Sequence, residues 1–502
     1  MPVSVKSGSV LGVSAFAVEV EIDIQRGLPA FNVVGLPDRA LQESRERVRS
    51  AINNSDFNYP DKRITINLAP ANRRKEGPQI DLPIAIGILA AQGLIPTVDL
   101  EKFFFAGELA LTGEVRPVRG ILPLVEQAES SDCQYFIFPD VSKKEIVFSP
   151  DLKLVPVKNL RDAAQVLQNI GAISAWKPDT LSADSSPNRP FVIPPVQGQK
   201  EARRAAAIAA AGYHNIMLFG PPGSGKTTIA RTIPALMPPL TAREKKEVML
   251  IASAAGEEIT PFRPWRDPHH SITAAGLGGG GRSPNPGEVT MAHRGILFLD
   301  ELPEFDRRVL ELLRQPLQDG YIHLVRHEYN LKLPADFMMV AALNPCPCGY
   351  FGQNEKNCRC TPRRISSYRE KLSGPLLDRL DLQVEVPALS ADEIIYSGHD
   401  IGPDKNLKSK INRAWQIQQR RNNGCHNGQL TGESLQQICA VGRSEKQFLS
   451  RALDKLNISR RGYDIILKLA RTIADLRAEE KIDKSHLAEA IQYRSFEREV
   501  RL

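Results

Sequence analysis

Gly220-Pro221-Pro222-Gly223-Ser224-Gly225-Lys226-Thr227 is the stretch that decides the reading of this chain. It meets the spacing G-x-x-x-x-G-K-[ST] between a short apolar run, 216–219, and a helical pattern. Glycines so placed let successive backbone N–H groups converge and cradle phosphate oxygens, and the following helix turns its partial positive charge to the same anion. Lys226 is placed to reach the β- and γ-phosphates and Thr227 to ligate Mg²⁺, with Thr228 completing the nucleotide-binding set. Downstream, the apolar run 296–299 ends in Asp300 and Glu301: the first suits the Mg²⁺ shell, the second an attacking water. A third apolar run, 338–343, ends in Asn344, which could orient that water. Buried strands separated by helices predict a parallel sheet covered on both faces, and the chemistry predicted is ATP hydrolysis.

Working outward, 502 residues exceed one hydrophobic core, and 42% hydrophobic with 25% charged residues is the composition of an ordinary globular protein. The net charge of +7 permits nucleic-acid binding without arguing for it. No apolar run reaches the ~18 residues a membrane span needs, and no secretory leader is recognised, so a cytoplasmic protein with no membrane partner is expected. Four domains of organisation are read: 1–172, mixed strands and helices; 173–192, a Ser/Asp/Pro-rich linker; 193–389, the P-loop α/β core; and 390–502, a helical lid. In the last, Ile465, Ile466, Leu469, Ile473 and Leu476 make a stripe at helical spacing that reads as core.

Cys346-Pro347-Cys348 and Cys358-Arg359-Cys360 put four thiols in one loop, matching a tetrahedral Zn²⁺ site in ligand number and type. The C-x-C spacing is tighter than the usual C-x₂-C; two disulfides or four free thiols are the alternatives. Four protein ligands would make the metal structural, because no position stays open for a reaction.

These motifs resemble the magnesium-chelatase-like branch of AAA+ ATPases, and the whole chain resembles the ComM/YifB family. The resemblance rests on 35–52 (GLPDRALQESRERVRSAI), 67–85, 105–123, 261–273 (PFRPWRDPHHSIT), 287–305, 344–352 (NPCPCGYFG) and 376–387 (LLDRLDLQVEVP). It implies a ring-forming motor, a homo-hexamer, that moves branch points on single-stranded and branched DNA regardless of sequence. Its setting would be natural transformation, alongside recombination proteins. It assigns Asn344 as sensor 1, Arg379 as the finger offered to a neighbour's ATP, and Arg461 as sensor 2, with Arg460 adjacent and open to confusion. A chelatase-type remodelling ATPase without a DNA substrate is the alternative, and a DNA-binding scaffold with a switching ATPase a third.

Two segments could touch DNA: 276–282, read as a mobile glycine-rich loop, and the hairpin 321–333, with Arg326, His327 and Lys332 available for phosphates. The N-terminal part resembles a degenerate Lon-protease-like α+β domain. Gln79 follows Gly77-Pro78 where those peptidases carry a serine, and Leu122 stands where they carry a lysine, so peptide hydrolysis has no machinery. Arg45, Arg47, Arg49, Lys62, Arg63, Arg73, Arg74 and Lys75 are candidate DNA contacts on that domain, against the plain reading of a solvated face.

Overall fold

The computed structural model describes residues 2–148, 151–178, 198–281, 284–326, 329–352, 358–389, 405–456 and 458–494. They divide into two compact units, one of residues 1–187, 245–261 and 280–286, the other of 188–244, 262–279 and 287–502.

In the first unit, Val3–Leu11 and Ser14–Gln25 pair antiparallel around Gly12-Val13, with Gly12 at φ +66° where a side chain would be strained. Val18, Val20 and Ile22 point inward while Glu19 stays exposed, which is the alternation of a half-buried strand. The sheet extends to seven strands in the order Ala30–Val34, Arg63–Ala69, Ser14–Gln25, Val3–Leu11, Phe103–Phe105, Tyr135–Pro139 and Lys153–Val157. The helix Asp81–Ala91 packs on it so closely that a Cβ on Gly87 would lie 2.0 Å from Ile22 Cδ1. That contact outweighs the ~1 kcal/mol of helix propensity a glycine forfeits.

In the second unit, β1 (Ile216–Phe219), β2 (Trp265–Arg266), β3 (Ile296–Leu299), β4 (Met338–Leu343) and β5 (Leu382–Glu385) form one sheet in the order β2-β3-β4-β1-β5. Every neighbouring pair is parallel. The chain leaves β1 towards β2 but leaves β4 across β1 to β5. The crevice at the carboxyl ends of β1 and β4 is therefore the topological switch point, where such sheets bind ligands.

Helix α1 (Lys200–Gly212) covers this sheet with an almost wholly buried run of alanines, small enough to let helices approach from outside. Trp415 Nε1 and Gln418 Nε2, on α3 (Lys405–Arg421), donate to the Ala210 and Ala211 carbonyls at 2.9 and 2.8 Å. The predicted stripe from Ile465 to Leu476 lies buried on α4 (Arg460–Arg477). A buried chain of hydrogen bonds ties that helix to the sheet: His214 meets Asp381 Oδ2 at 3.0 Å and Thr472 Oγ1 at 2.8 Å.

One expectation is corrected. Residues 274–278 are a short helix, not loop: Thr273 Oγ1 caps it by accepting from Gly276 N–H at 3.1 Å. Gly278 sits where a Cβ would come within 2.7 Å of Leu312, so packing holds a segment whose composition alone argues against regular structure. Arg282 and His327 lie outside the described residues, as do most of the linker and residues 390–404.

Candidate nucleotide site

The P-loop occupies the switch point. Gly223 and Gly225 take φ of +77° and +90°, and a Cβ on Gly220 would fall 2.1 Å from the Val386 carbonyl oxygen. The loop therefore needs glycine at these positions for conformation or for room. Helix α2 (Lys226–Leu236) begins after Gly225 with no side-chain cap, leaving its first N–H groups for an anion. Among the described residues the buried Ser224 hydroxyl has no partner, as a donor for a ligand would.

Lys226 is buried. Its Nζ donates to the Gly220 and Pro221 carbonyls at 2.8 and 2.7 Å and to Asn344 Oδ1 at 3.2 Å. Desolvation pulls its pKa below the ordinary lysine value, opposed by Asp300 and Glu301. Thr227 Oγ1 donates to Asp300 Oδ2 at 3.1 Å, which puts the two expected Mg²⁺ ligands side by side. Glu301 follows in a left-handed conformation, φ +51°, that turns it out of the strand; its carboxylate is about half exposed and 3.9 Å from His270 Nδ1. The structure thus brings Lys226, Thr227, Asp300, Glu301 and Asn344 to one end of the sheet.

Arg379 and Arg461 lie at the other end. Asn215, just before β1, donates to the Arg379 carbonyl at 3.0 Å, so the length of the sheet, ~13 Å, separates that residue from the P-loop. Both arginines line one cavity of ≈ 640 Å³ together with Asn215, Asp336 and Asp381. Arg379 donates to the Pro375 carbonyl and Gln318 Oε1, while its Nε has no partner among the described residues. Desolvation first, then Arg461, lower its pKa. Arg460 instead points outward and pairs with Asp464 at 3.4 Å, so the two adjacent arginines are told apart.

The four cysteines converge. All four sulfurs lie within 4.8 Å of one another, with Cys346, Cys348 and Cys358 separated by 3.3, 3.6 and 3.5 Å. None is disulfide-bonded, and the spacing is near the ~3.8 Å edge of a tetrahedron with 2.3 Å Zn–S bonds. The Tyr350 backbone N–H leads in drawing the Cys348 thiol down to about 6, whereas desolvation leads in raising Cys360. Thiols packed this closely resist ionising together unless a cation compensates them. The donor set fits a soft divalent metal.

Other candidates fare differently. In the hairpin of Tyr321–Arg326 and Tyr329–Pro334, Lys332 Nζ sits 3.7 Å above the Tyr321 ring and Val325 is exposed. On the first unit, Lys75 is fully buried and donates to the Gly35 and Pro70 carbonyls, and Arg47 is bound to Asp81 Oδ2 at 2.6 Å. Lys75 is therefore internal and cannot present charge to DNA, which corrects its place in the basic cluster, whereas Arg47 keeps 21% of its side chain exposed with its charge paired to Asp81. Burial lifts Asp81 to about 6 despite Arg47. Gln79 is buried and donates to the Glu76 carbonyl, and Leu122 is in the core, so neither lost-dyad position offers a hydroxyl or amine.

Sequence reasoning assigned nothing to Asp267 and His270. Asp267 is 3.9 Å from Arg231, and its carboxyl is raised by desolvation, with Asp300 adding to the rise. Their only signal was the density of charged and histidine residues in 261–273.

Family models described as magnesium chelatase, subunit ChlI, match residues 193–394, and models of subunit ChlI of Mg-chelatase and of its C-terminal part match 20–142 and 403–494. The chain is 40% identical to competence protein ComM of Haemophilus influenzae, over 98% of this chain and 97% of that protein. It is 39% identical to YifB of Escherichia coli over the same shares. To the magnesium-chelatase 38 kDa subunit of Cereibacter sphaeroides it is 26% identical, over 31% of this chain and 53% of that protein. Among the described residues no helix is long and apolar enough to cross a membrane.

Proposed function

The chain belongs to the ComM/YifB family of magnesium-chelatase-like AAA+ ATPases, and from that premise we propose that it is a ring-forming motor that uses ATP to move branch points in DNA. The observation that carries this is the similarity to a competence protein along 98% of the chain, against 31% for the chelatase subunit. Incoming single-stranded DNA paired into a duplex presents such a branch point, and its extension would serve transformation. The N-terminal unit acts in this reading as a Lon-like scaffold without peptidase chemistry.

The geometry supports a shared site. Lys226 and the uncapped start of α2 hold the phosphates, Thr227 and Asp300 hold Mg²⁺, and Glu301 takes a proton from the attacking water, oriented by Asn344. Arg379 and Arg461 lie too far from their own P-loop to assist it. In this reading they stabilise charge on a neighbour's transferring phosphoryl group, which requires a homo-oligomer, and a hexamer is the ring we propose. The hairpin around Val325 and the segment from Ala274 would line the pore and contact phosphates without reading bases. Zn²⁺ held by Cys346, Cys348, Cys358 and Cys360 completes the cofactor set as a structural ion.

The test is dissociation of synthetic three-stranded and four-way DNA junctions. Wild-type protein should resolve them only with ATP and Mg²⁺, and Lys226→Ala should not. Hydrolysis unaffected by any DNA across a range of salt would remove the DNA reading and leave the chelatase-type alternative.

A further inference from the structure

We propose that the four-thiol loop is a metal-dependent brace for the nucleotide site, so that the P-loop holds nucleotide tightly only while a soft divalent cation sits between the sulfurs. This rests on the reading of the cluster as a zinc-class site and adds what such an ion would control.

Two short paths join the thiols to the phosphate cradle. The first runs along the chain. Pro345 alone separates Cys346 from Asn344, whose side chain accepts from Lys226 Nζ at 3.2 Å. The Pro345 carbonyl is pinned in turn by Arg369 Nε at 3.3 Å. The second path runs through space. Between the first thiol pair and Tyr350 the chain turns at Gly349, whose N–H donates to the Cys346 carbonyl at 2.9 Å and whose φ is +84°. The turn presses on Pro222, the third residue of the P-loop: a Cβ on Gly349 would lie 2.5 Å from both Cγ and Cδ of that ring. Pro222 follows Pro221, whose carbonyl, with that of Gly220, holds Lys226.

Cys346 is buried, but Phe351 is 45% exposed under the Arg369 guanidinium, 5.2 Å from its ring centre, so apolar burial holds the described part of the loop only in part. A cation drawing four sulfurs together would fix Gly349 against Pro222 and Asn344 against Lys226 at once. Without it the thiols keep only weak sulfur hydrogen bonds, to one another and from backbone N–H groups such as that of Cys360, and both contacts loosen.

The experiment uses the full chain, with metal content measured beside the affinity for a fluorescent ATP analogue. Stripping the metal with a chelator and a thiol reagent should weaken analogue binding at least tenfold, with far-ultraviolet circular dichroism unchanged and recovery on adding Zn²⁺ after reduction. Gly349→Ala should retain the metal yet bind the analogue about as weakly as stripped protein, and adding Pro222→Ala, which removes the atoms met by the new Cβ, should restore part of the affinity. Wild-type affinity in the metal-free protein, or in metal-loaded Gly349→Ala, overturns the brace. Protein that contains no metal, titrates all four cluster thiols beside the exposed Cys425 and binds the analogue tightly overturns the cation reading itself, and the brace with it.

Discussion

At the scale of single residues, adjacency in sequence hides opposite roles. Arg460 and Arg461 are indistinguishable in the motif, yet the turn of helix between them sends one guanidinium to solvent beside Asp464 and the other into the cavity it shares with Arg379. An exposed ion pair contributes at most ~1 kcal/mol, so Arg460→Ala should cost no more stability than that and leave turnover within about twofold of wild type. Arg461→Ala should fold and assemble but lose ATP turnover by about 10³, as expected when a charge facing a transferring phosphoryl group is removed. Steady-state ATPase assays of the two variants decide it, and equal effects would show that Arg461 is no nearer the chemistry than its neighbour. Internal charges were the least legible residues. Lys75 and Arg47 look like members of a basic surface run, and only the three-dimensional positions of Gly35, Pro70 and Asp81 show that the first faces inward and the second is held by a buried carboxylate.

At the scale of elements, legibility followed burial. β1, β3 and β4 are continuous apolar runs with polar or glycine ends, and their limits were readable to the residue. β2 is only Trp265 and Arg266, too short for any period, and the sequence named no strand there. The link from α4 to the sheet was invisible for another reason: His214 and Thr472 are 258 residues apart. Where the lid meets the sheet, a pH dependence follows from one buried ring. His426 lies against Trp415 and Tyr213, with ring centroids at 4.1 and 5.2 Å, and desolvation, reinforced by Arg263, Arg294 and His214, depresses its pKa to about 3. The unfolded chain protonates that residue near 6.5 and the folded one does not. Its neutral form therefore contributes full stability above pH 6.5, lost by about 1.4 kcal/mol per unit as pH falls towards 3. Between pH 6.5 and 5.0 the urea midpoint followed by tryptophan fluorescence should drop by the equivalent of about 2 kcal/mol. In His426→Phe, which keeps an aromatic ring without a titrating group, that part of the slope should vanish; an unchanged slope would assign it to other groups.

At the scale of the whole molecule, the motifs that spelled out ATP hydrolysis sit at both ends of the sheet, and in the proposed reading no single chain closes the site. The sequence displayed Lys226, Asp300, Asn344, Arg379 and Arg461 in order, but order cannot say which of them share a pocket. The strand polarity does: Asn215 and Phe219 bracket β1, with Arg379 beside the first and the P-loop after the second. If catalysis is completed across a subunit boundary, the two halves can be supplied by different chains. Lys226→Ala lacks a working P-loop but offers an intact Arg379, and Arg379→Ala offers the reverse. Each homo-oligomer should be inactive. Mixed at equal concentration and allowed to exchange, they should place an intact P-loop against an intact arginine at about a quarter of the boundaries, since each half is correct with a chance of about one in two. ATP turnover should then rise from background towards that fraction of wild type, provided each competent boundary turns over independently. A lower plateau would mean that neighbouring sites in the ring must fire together. A mixture that stays at background, although labelled subunits are seen to exchange, would place Arg379 outside its neighbour's site and return the ≈ 640 Å³ cavity to a role within one chain.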